Sequence, residues 1–343
     1  MFDISFATVR RTCATLALAA GLAMPVGASA EDISPEWQKV IDAAKAEGTV
    51  TIYSGQGLKQ LNDLADRFKA KYGINVQVVR DVETNLFPKV DVEFETGRGI
   101  ADILVNSSYP VLLDQEAKGY MVPAVGPDFD NPAYDRATRM PNGTFFEASA
   151  AVLTFSWNTE IYPKGLKDYS DIFDPELKGM IGISLARAVG QVDYYLYLME
   201  NYGEDFVERL AEMEPRTYPG ALPLAQAVSS GEIAVTIYGE PLVDEKAAGA
   251  PVESGFAPEI WGARFYGMVL KTAPNPNAAQ LLANFIVTEE GQEAIARKAG
   301  SALPDITGSV GSTDTIRRQD LSQLTPEKMA EFQARFDKLF ANR

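Results

Sequence analysis

TVTIYSG (49–55), LNDLADRFKAKYG (61–73), INVQVVRD (74–81) and ADILVNSS (101–108) decide the fold. The first, third and fourth are rich in β-branched residues and end at turn residues, which predicts strands. The second places Leu61, Leu64, Ala65 and Phe68 on one face, which predicts a helix. Asn85 to Glu95 reads as another helix. Strand, helix, strand, helix, strand implies an α/β fold with a mostly parallel sheet covered by helices.

Upstream, Ser34 and Pro35 open a helix that stops at Gly48. Downstream, residues 126–146 are rich in Pro, Gly, Asn and Asp and read as loop. AAVLTFSWNT (150–159) is a β-rich run long enough to cross between two lobes. A second α/β unit follows: GMIGISL as strand, VDYYLYLMENYG and EDFVERLAEM as helices, EIAVTIYGE (232–240) as strand. FYGMVLK is again a strand, followed by one long helix from Pro276 through NAAQLLANFIVTEEGQEAIARKAG. TPEKMAEFQARFDKLF carries Met329, Phe332, Phe336 and Leu339 at helical spacing and is expected to pack back on the body. A helix lying on a membrane is the alternative, but its polar face mixes acids with Lys.

Residues 1–30 read as a secretory signal peptide: Arg10 and Arg11, an apolar stretch from Ala14 to Met24, and Ala28-Ser29-Ala30 before the cut. The expected compartment is the periplasm. The only cysteine, Cys13, falls inside that segment, so the remaining chain can form neither a disulfide nor a thiolate site. There is no histidine, which removes Ser-His-Asp hydrolysis and ordinary zinc sites. The formal charge is −16, and residues 1–30 contribute a net +1 of it, leaving −17 for the rest. Such a balance argues against a nucleic-acid partner. Hydrophobic content of 46% and charged content of 23% describe a folded globular chain.

The order of AKAEGTVTIYSG, FKAKYGINVQVV, ADILVNSS, FSWNTEI, YSDIFDPELKG, GEDFVERLAEM, AQAVSSGEIAV, AAGAPVE and NPNAAQLLANFIVTEEGQEAI resembles periplasmic solute-binding proteins of bacterial ABC importers. The nearest branch is family-1 extracellular solute-binding proteins of the ferric-iron-binding type. The resemblance implies a two-lobed, type II periplasmic-binding-protein fold, with crossing hinge strands and a ligand cleft between the lobes. It implies lobe 1 at 31–145 and 258–343 and lobe 2 at 146–257. It also implies no catalysis, no cofactor, a monomer, and two partners: a small solute and the membrane permease.

Ligands in open α/β sheets sit at the carboxyl ends of strands, near helix N-termini that favour anions. The candidate ligand residues are therefore Tyr53, Ser54, Gln56, Ser107, Ser108, Arg187, Gln191, Tyr238 and Glu240. Ser54 and Ser108 have a second reading as helix caps. Arg187 reads either as a surface arginine or as a planar fork for an anion. Glu240 reads as a partner for a cation or for Arg187. Trp157 and the pair Tyr194-Tyr195 read as core. Ferric members of the family use adjacent tyrosines past the GE-containing strand, with a histidine and a glutamate. Here that position falls near Pro241-Leu242, leaving Tyr238 and Glu240 as the residues available to iron. The favoured solute is a small anionic organic compound or oxyanion, with Fe3+ as the alternative. A carboxylate-dependent glycosidase is the third reading, and it needs two acids facing each other at roughly 5–9.5 Å.

Overall fold

The computed structural model describes residues 33–340, so the expected signal peptide, residues 1–30, lies outside the described residues. The chain begins with α1 (Pro35–Glu47), β1 (Thr49–Ser54), α2 (Leu58–Tyr72), β2 (Asn75–Arg80), α3 (Glu83–Thr96), β3 (Ile103–Asn106), α4 (Tyr109–Ala117) and a short β4 (Met121–Val122). β1 pairs parallel with both β2 and β3. α2 ends because Gly73 adopts the left-handed region, φ 76°, and its N–H bonds the Lys69 carbonyl. Val50 and Ile52 pack with Leu61, Leu64 and Phe68 on one face of the sheet. Tyr53 and Leu104 pack with Leu86 and Val90 of α3 on the other.

The stretch expected to be loop contains two short helical turns, Pro127–Asp130 and Pro132–Tyr134, then α5 (Arg136–Arg139), and Phe145 already belongs to β5 (Phe145–Val152). β6 (Thr154–Asn158) continues from β5 after Leu153 but lies in a second sheet. That sheet collects β7 (Ile181–Ser184), β8 (Arg216–Tyr218), β9 (Val235–Gly239) and β10 (Val252–Gly255) in the order β10-β6-β9-β7-β8. Its helices are α6 (Val189–Tyr202), α7 (Phe206–Glu212), α8 (Ala221–Ser230) and α9 (Val243–Ala247). β11 (Gly262–Leu270) then returns to the first sheet, followed by α10 (Pro276–Ile286), α11 (Glu289–Ile295), β12 (Gly300–Ser301), β13 (Gly311–Ser312) and α12 (Pro326–Phe340). The first sheet runs β13-β12-β5-β11-β3-β1-β2, with β4 also beside β11. The molecule is thus a two-lobed α/β protein.

Three further findings differ from the sequence reading. Both sheets are mixed rather than mostly parallel, because the strands at each crossing run antiparallel: β11 against β3 and β5, and β6 against β9 and β10. The long helix from Pro276 breaks at Val287-Thr288. Thr288 caps α11 by accepting the Gly291 N–H at 3.0 Å, and a side chain at Gly291 would run into the Phe285 carbonyl. Last, α12 does not stay with the first lobe. Phe332, Phe336 and Phe340 join the core of the second lobe with Tyr195 and Phe206. Arg335 fixes the helix to α7 through two 2.7 Å bonds to Glu208.

The crossing itself is hydrogen-bonded: the Leu153 N–H reaches the Trp261 carbonyl at 3.2 Å. Beside it, Glu147 of β5 holds Arg139 at 2.9 Å and Arg264 of β11 at 3.4 Å. All three are at most 4% exposed. Arg264 also donates to the carbonyls of Thr313, Ile316 and Arg317. This tethers the segment that leaves β13 for α12.

Phe336 is 1% exposed and packs at a tilt against both Tyr195 and Phe340. Phe336→Ala should destabilise the protein by about 3–5 kcal/mol, the cost of a large core truncation. Urea denaturation measures this; a change below about 1 kcal/mol would show that α12 is not part of the second core.

Candidate functional site

A cavity of about 100 Å³ lies between the lobes at the carboxyl ends of β1 and β2. The turn after β1 supplies Gln56, Gly57 and Gln60, the end of β2 supplies Arg80, and β5 supplies Ser149. Lys298, just past α11, and Glu240, just past β9, close the other sides. A larger hollow of about 640 Å³ on the second lobe lies around Lys164 and Asp174. It sits away from the strand ends, and Lys164 is already paired with Asp174 and Glu176 at 2.5 and 2.9 Å.

The geometry of the cleft follows from local structure. Ser54 is fully buried and accepts the Gln56 N–H at 3.1 Å, which folds the β1–α2 turn. The Gln56 side chain then donates to Ser149 at 2.8 Å, joining the turn to β5. α2 starts at Gly57 with no side-chain cap, so its first-turn N–H groups and positive dipole end remain for a ligand. Arg80 leans on the Gln56 carbonyl at 3.4 Å. Lys298 is held in the left-handed region at φ 61°, a conformation uncommon outside glycine and worth attention at a site. Glu240 touches water in the cleft yet has protein on most sides. Dehydration raises its carboxyl above the usual range, while Lys298 and Arg80 pull it back.

The structure brings Gln56 and Glu240 together at the cavity and sends the other candidates elsewhere. The Tyr53 hydroxyl donates to Glu93 at 2.9 Å on the α3 side, and burial with this carboxylate pushes it up to about 12. The Ser107 N–H donates to the Glu83 carboxylate, whose pKa burial raises against the opposing Ser107 bonds. Ser108 stands at the start of α4, its N–H on Asn106 at 3.0 Å, with no side-chain cap. Ser54 likewise caps no helix. Arg187 is 54% exposed and pairs with Asp337 of α12 at 2.8 Å. Gln191 is fully engaged: it accepts the N–H groups of Arg187 and Ala188 and donates to Ser184 at 2.7 Å. Tyr238 packs edge-on against Tyr194, and burial raises its hydroxyl far above the usual range. Tyr194 and Tyr195 are core, donating to the Ile237 and Ser184 carbonyls.

Arg80, Ser149, Lys298 and Asp244 were not singled out from the sequence. Arg80 ends a strand, so the strand-end rule reaches it. Lys298 and Asp244 carry no local signal. Asp244 on α9 faces three cations of the first lobe: Lys59 at 3.2 Å, Arg297 at 2.9 Å and Lys298 at 2.6 Å. Lys298 is 14% exposed and Lys59 66%, so the Lys298 pair is the least screened of the three. Arg297 first, and Lys298 next, hold the Asp244 carboxyl well below the usual range. A depressed folded pKa means this stabilisation is present at neutral pH and is lost only as pH falls below the usual carboxylate range.

Residues 50–300 match the model of the family described as bacterial extracellular solute-binding protein. Iron uptake protein A1 of Synechocystis sp. is 25% identical over 282 residues, covering 75% of this chain and 76% of that protein. Iron-bound HitA from Pseudomonas aeruginosa has a similar structure, with TM-score 0.63, 18% identity, and 85% of this chain and 99% of that one covered. The periplasmic binding protein AfuA from Actinobacillus pleuropneumoniae, solved with fructose-6-phosphate, gives TM-score 0.65, 19% identity, and 87% and 100% coverage. At these identities the two structures speak for the fold. One holds iron and the other a sugar phosphate, so the fold does not choose the cargo.

Asp244→Asn should remove the charge that holds the two lobes together across the cleft. Small-angle scattering of the variant should show a larger radius of gyration than wild type at low salt, with the difference shrinking as salt rises. Equal radii at low salt would show that the Asp244 pairs do not hold the lobes closed.

Proposed function

This chain belongs to the bacterial extracellular solute-binding protein family, and on that premise we propose that it captures a small anionic solute in its interlobe cleft. It is the substrate-binding component of an ABC transporter and hands its cargo to the membrane permease from the periplasm. The observation that carries the anionic reading is the lining of the cavity: Arg80 and Lys298 beside the donors of Gln56 and Ser149 and the uncapped start of α2. An oxyanion or carboxylate satisfies these groups through charge-assisted hydrogen bonds. Glu240 then serves as the counter-charge, or as acceptor for a hydroxyl or ammonium on the same solute.

Binding and closure share one residue. The Lys298 ammonium has three donors, one of which reaches Asp244. A solute held by Lys298 therefore sits next to the contact that fastens the second lobe. Solute and closed state favour each other by reciprocal coupling, and hinge motion about the crossing strands delivers both.

Ferric iron is the second reading, favoured by the similarity to Iron uptake protein A1. Tyr238 and Glu240 are the residues it would take. Burial first, and the Glu240 charge next, raise the Tyr238 phenol, which makes it a poorer source of the phenolate oxygen that suits a hard trivalent cation. Arg80 and Lys298 are better suited to an anion than to a trivalent cation.

Calorimetric titration with phosphate, phosphonates and small carboxylates tests the reading. One of these should bind, and Lys298→Gln should weaken it about 10–100-fold, the worth of a charged hydrogen bond. A visible phenolate charge-transfer band on adding ferric citrate, with no anion binding, would replace this reading with iron.

A further inference from the structure

A second cavity, of about 240 Å³, lies on the opposite face of β11 from the cleft. We propose that it is a separate binding site for a small oxyanion, either a phosphoryl group or a carboxylate. Successive residues of a strand face opposite sides, and β11 divides the two cavities in that way. Phe265 lines the cleft, and Arg264 and Tyr266 line the second cavity. Tyr109 at the start of α4, Thr138, and Arg318 in the tether to α12 complete the part of the wall that matters.

That wall offers donors and no carboxylate. Tyr266 is 7% exposed, and its hydroxyl has no hydrogen-bond partner among the described residues. The hydroxyls of Tyr109 and Thr138 are equally unspent, and the exposed Arg318 guanidinium has no ion pair among the described residues. Of these donors only Tyr266 belongs to a buried residue; acceptor oxygens on a small ligand held in the cavity pair with the donors that line it.

The charge around the cavity points the same way. Arg264 and Arg139 share the single buried carboxylate of Glu147. The other acid on Arg139, Asp314, is 61% exposed, so water screens it. Arg318 adds a third guanidinium. In a chain of net charge −16, this is a local excess of positive charge that an anion neutralises. The Tyr109 and Tyr266 rings meet edge-on at 5.2 Å and leave an apolar flank beside the donors. The ligand is therefore an anion small enough for the cavity, with room for a short apolar body.

Titration calorimetry with inorganic phosphate, and separately with sodium butyrate, tests the site and distinguishes the two chemistries. One probe should show a binding event that Arg318→Gln weakens at least tenfold and Tyr266→Phe several-fold. Lys298→Gln, which disables the cleft, should leave that event intact. Arg318 is exposed and Tyr266→Phe removes one oxygen, so thermal melting should find both variants folded. The site is refuted if neither probe gives heat beyond what Lys298→Gln removes, or if the remaining event is the same in Arg318→Gln and Tyr266→Phe. Either result makes this a water-filled cavity.

Discussion

Both lobes depend on the antiparallel ladder of β5 and β11, because the chain enters the second lobe from one and returns through the other. The ladder is held within the first lobe by a buried charge cluster. Glu147 is its centre: a carboxylate with no exposure, flanked by two buried guanidiniums. Burying these charges is costly unless all are paired and hydrogen-bonded. The carbonyls of Thr313, Ile316 and Arg317 and the Thr313 hydroxyl accept from these guanidiniums, while Arg139 Nε, Arg264 Nε and one Glu147 oxygen make no hydrogen bond among the described residues. The same cluster fixes the start of a third passage between lobes, the tether to α12. The chain changes sheet just beyond the cluster, where the Leu153–Trp261 hydrogen bond joins the two crossing segments.

This arrangement puts the functional charges on separate bodies. Arg80, Lys298, Lys59 and Arg297 belong to the first lobe, and Asp244 and Glu240 to the second. Lys298 belongs to the solute cavity and to the Asp244 cluster at once. Exposed ion pairs are individually weak, so Asp244 alone holds the lobes only lightly. A latch this weak leaves room for a ligand bound beside it to set the closed population.

Much of the fold was legible because the signals were local. TVTIYSG, the Leu61-Leu64-Phe68 face and INVQVVRD each carry their own periodicity, and the structure places β1, α2 and β2 there. The break at Thr288 was hidden because its cap is a threonine inside a helical pattern, and Gly291, which the close approach to the Phe285 carbonyl requires, reads in sequence as a tolerated helix glycine. The lobe that α12 joins was hidden because its partners, Tyr195 and Glu208, lie more than a hundred residues earlier. The site was legible in part. Of the strand-end residues, Gln56 and Glu240 line the cavity in the cleft, whereas Arg187, with the same credentials, turns to Asp337 on α12. Asp244 and Lys298 meet only through the approach of the two lobes, which no local pattern encodes.

The cargo is set by the cavity and not by the fold, since similar structures hold iron in one case and a sugar phosphate in another. The most direct measurement is native mass spectrometry of the protein purified without denaturation from the periplasm of its own host. The account predicts a co-purifying small anionic organic molecule or oxyanion, released on mild activation and absent from preparations of the Lys298→Gln variant. A ferric ion as the only adduct, retained by that variant, would contradict it.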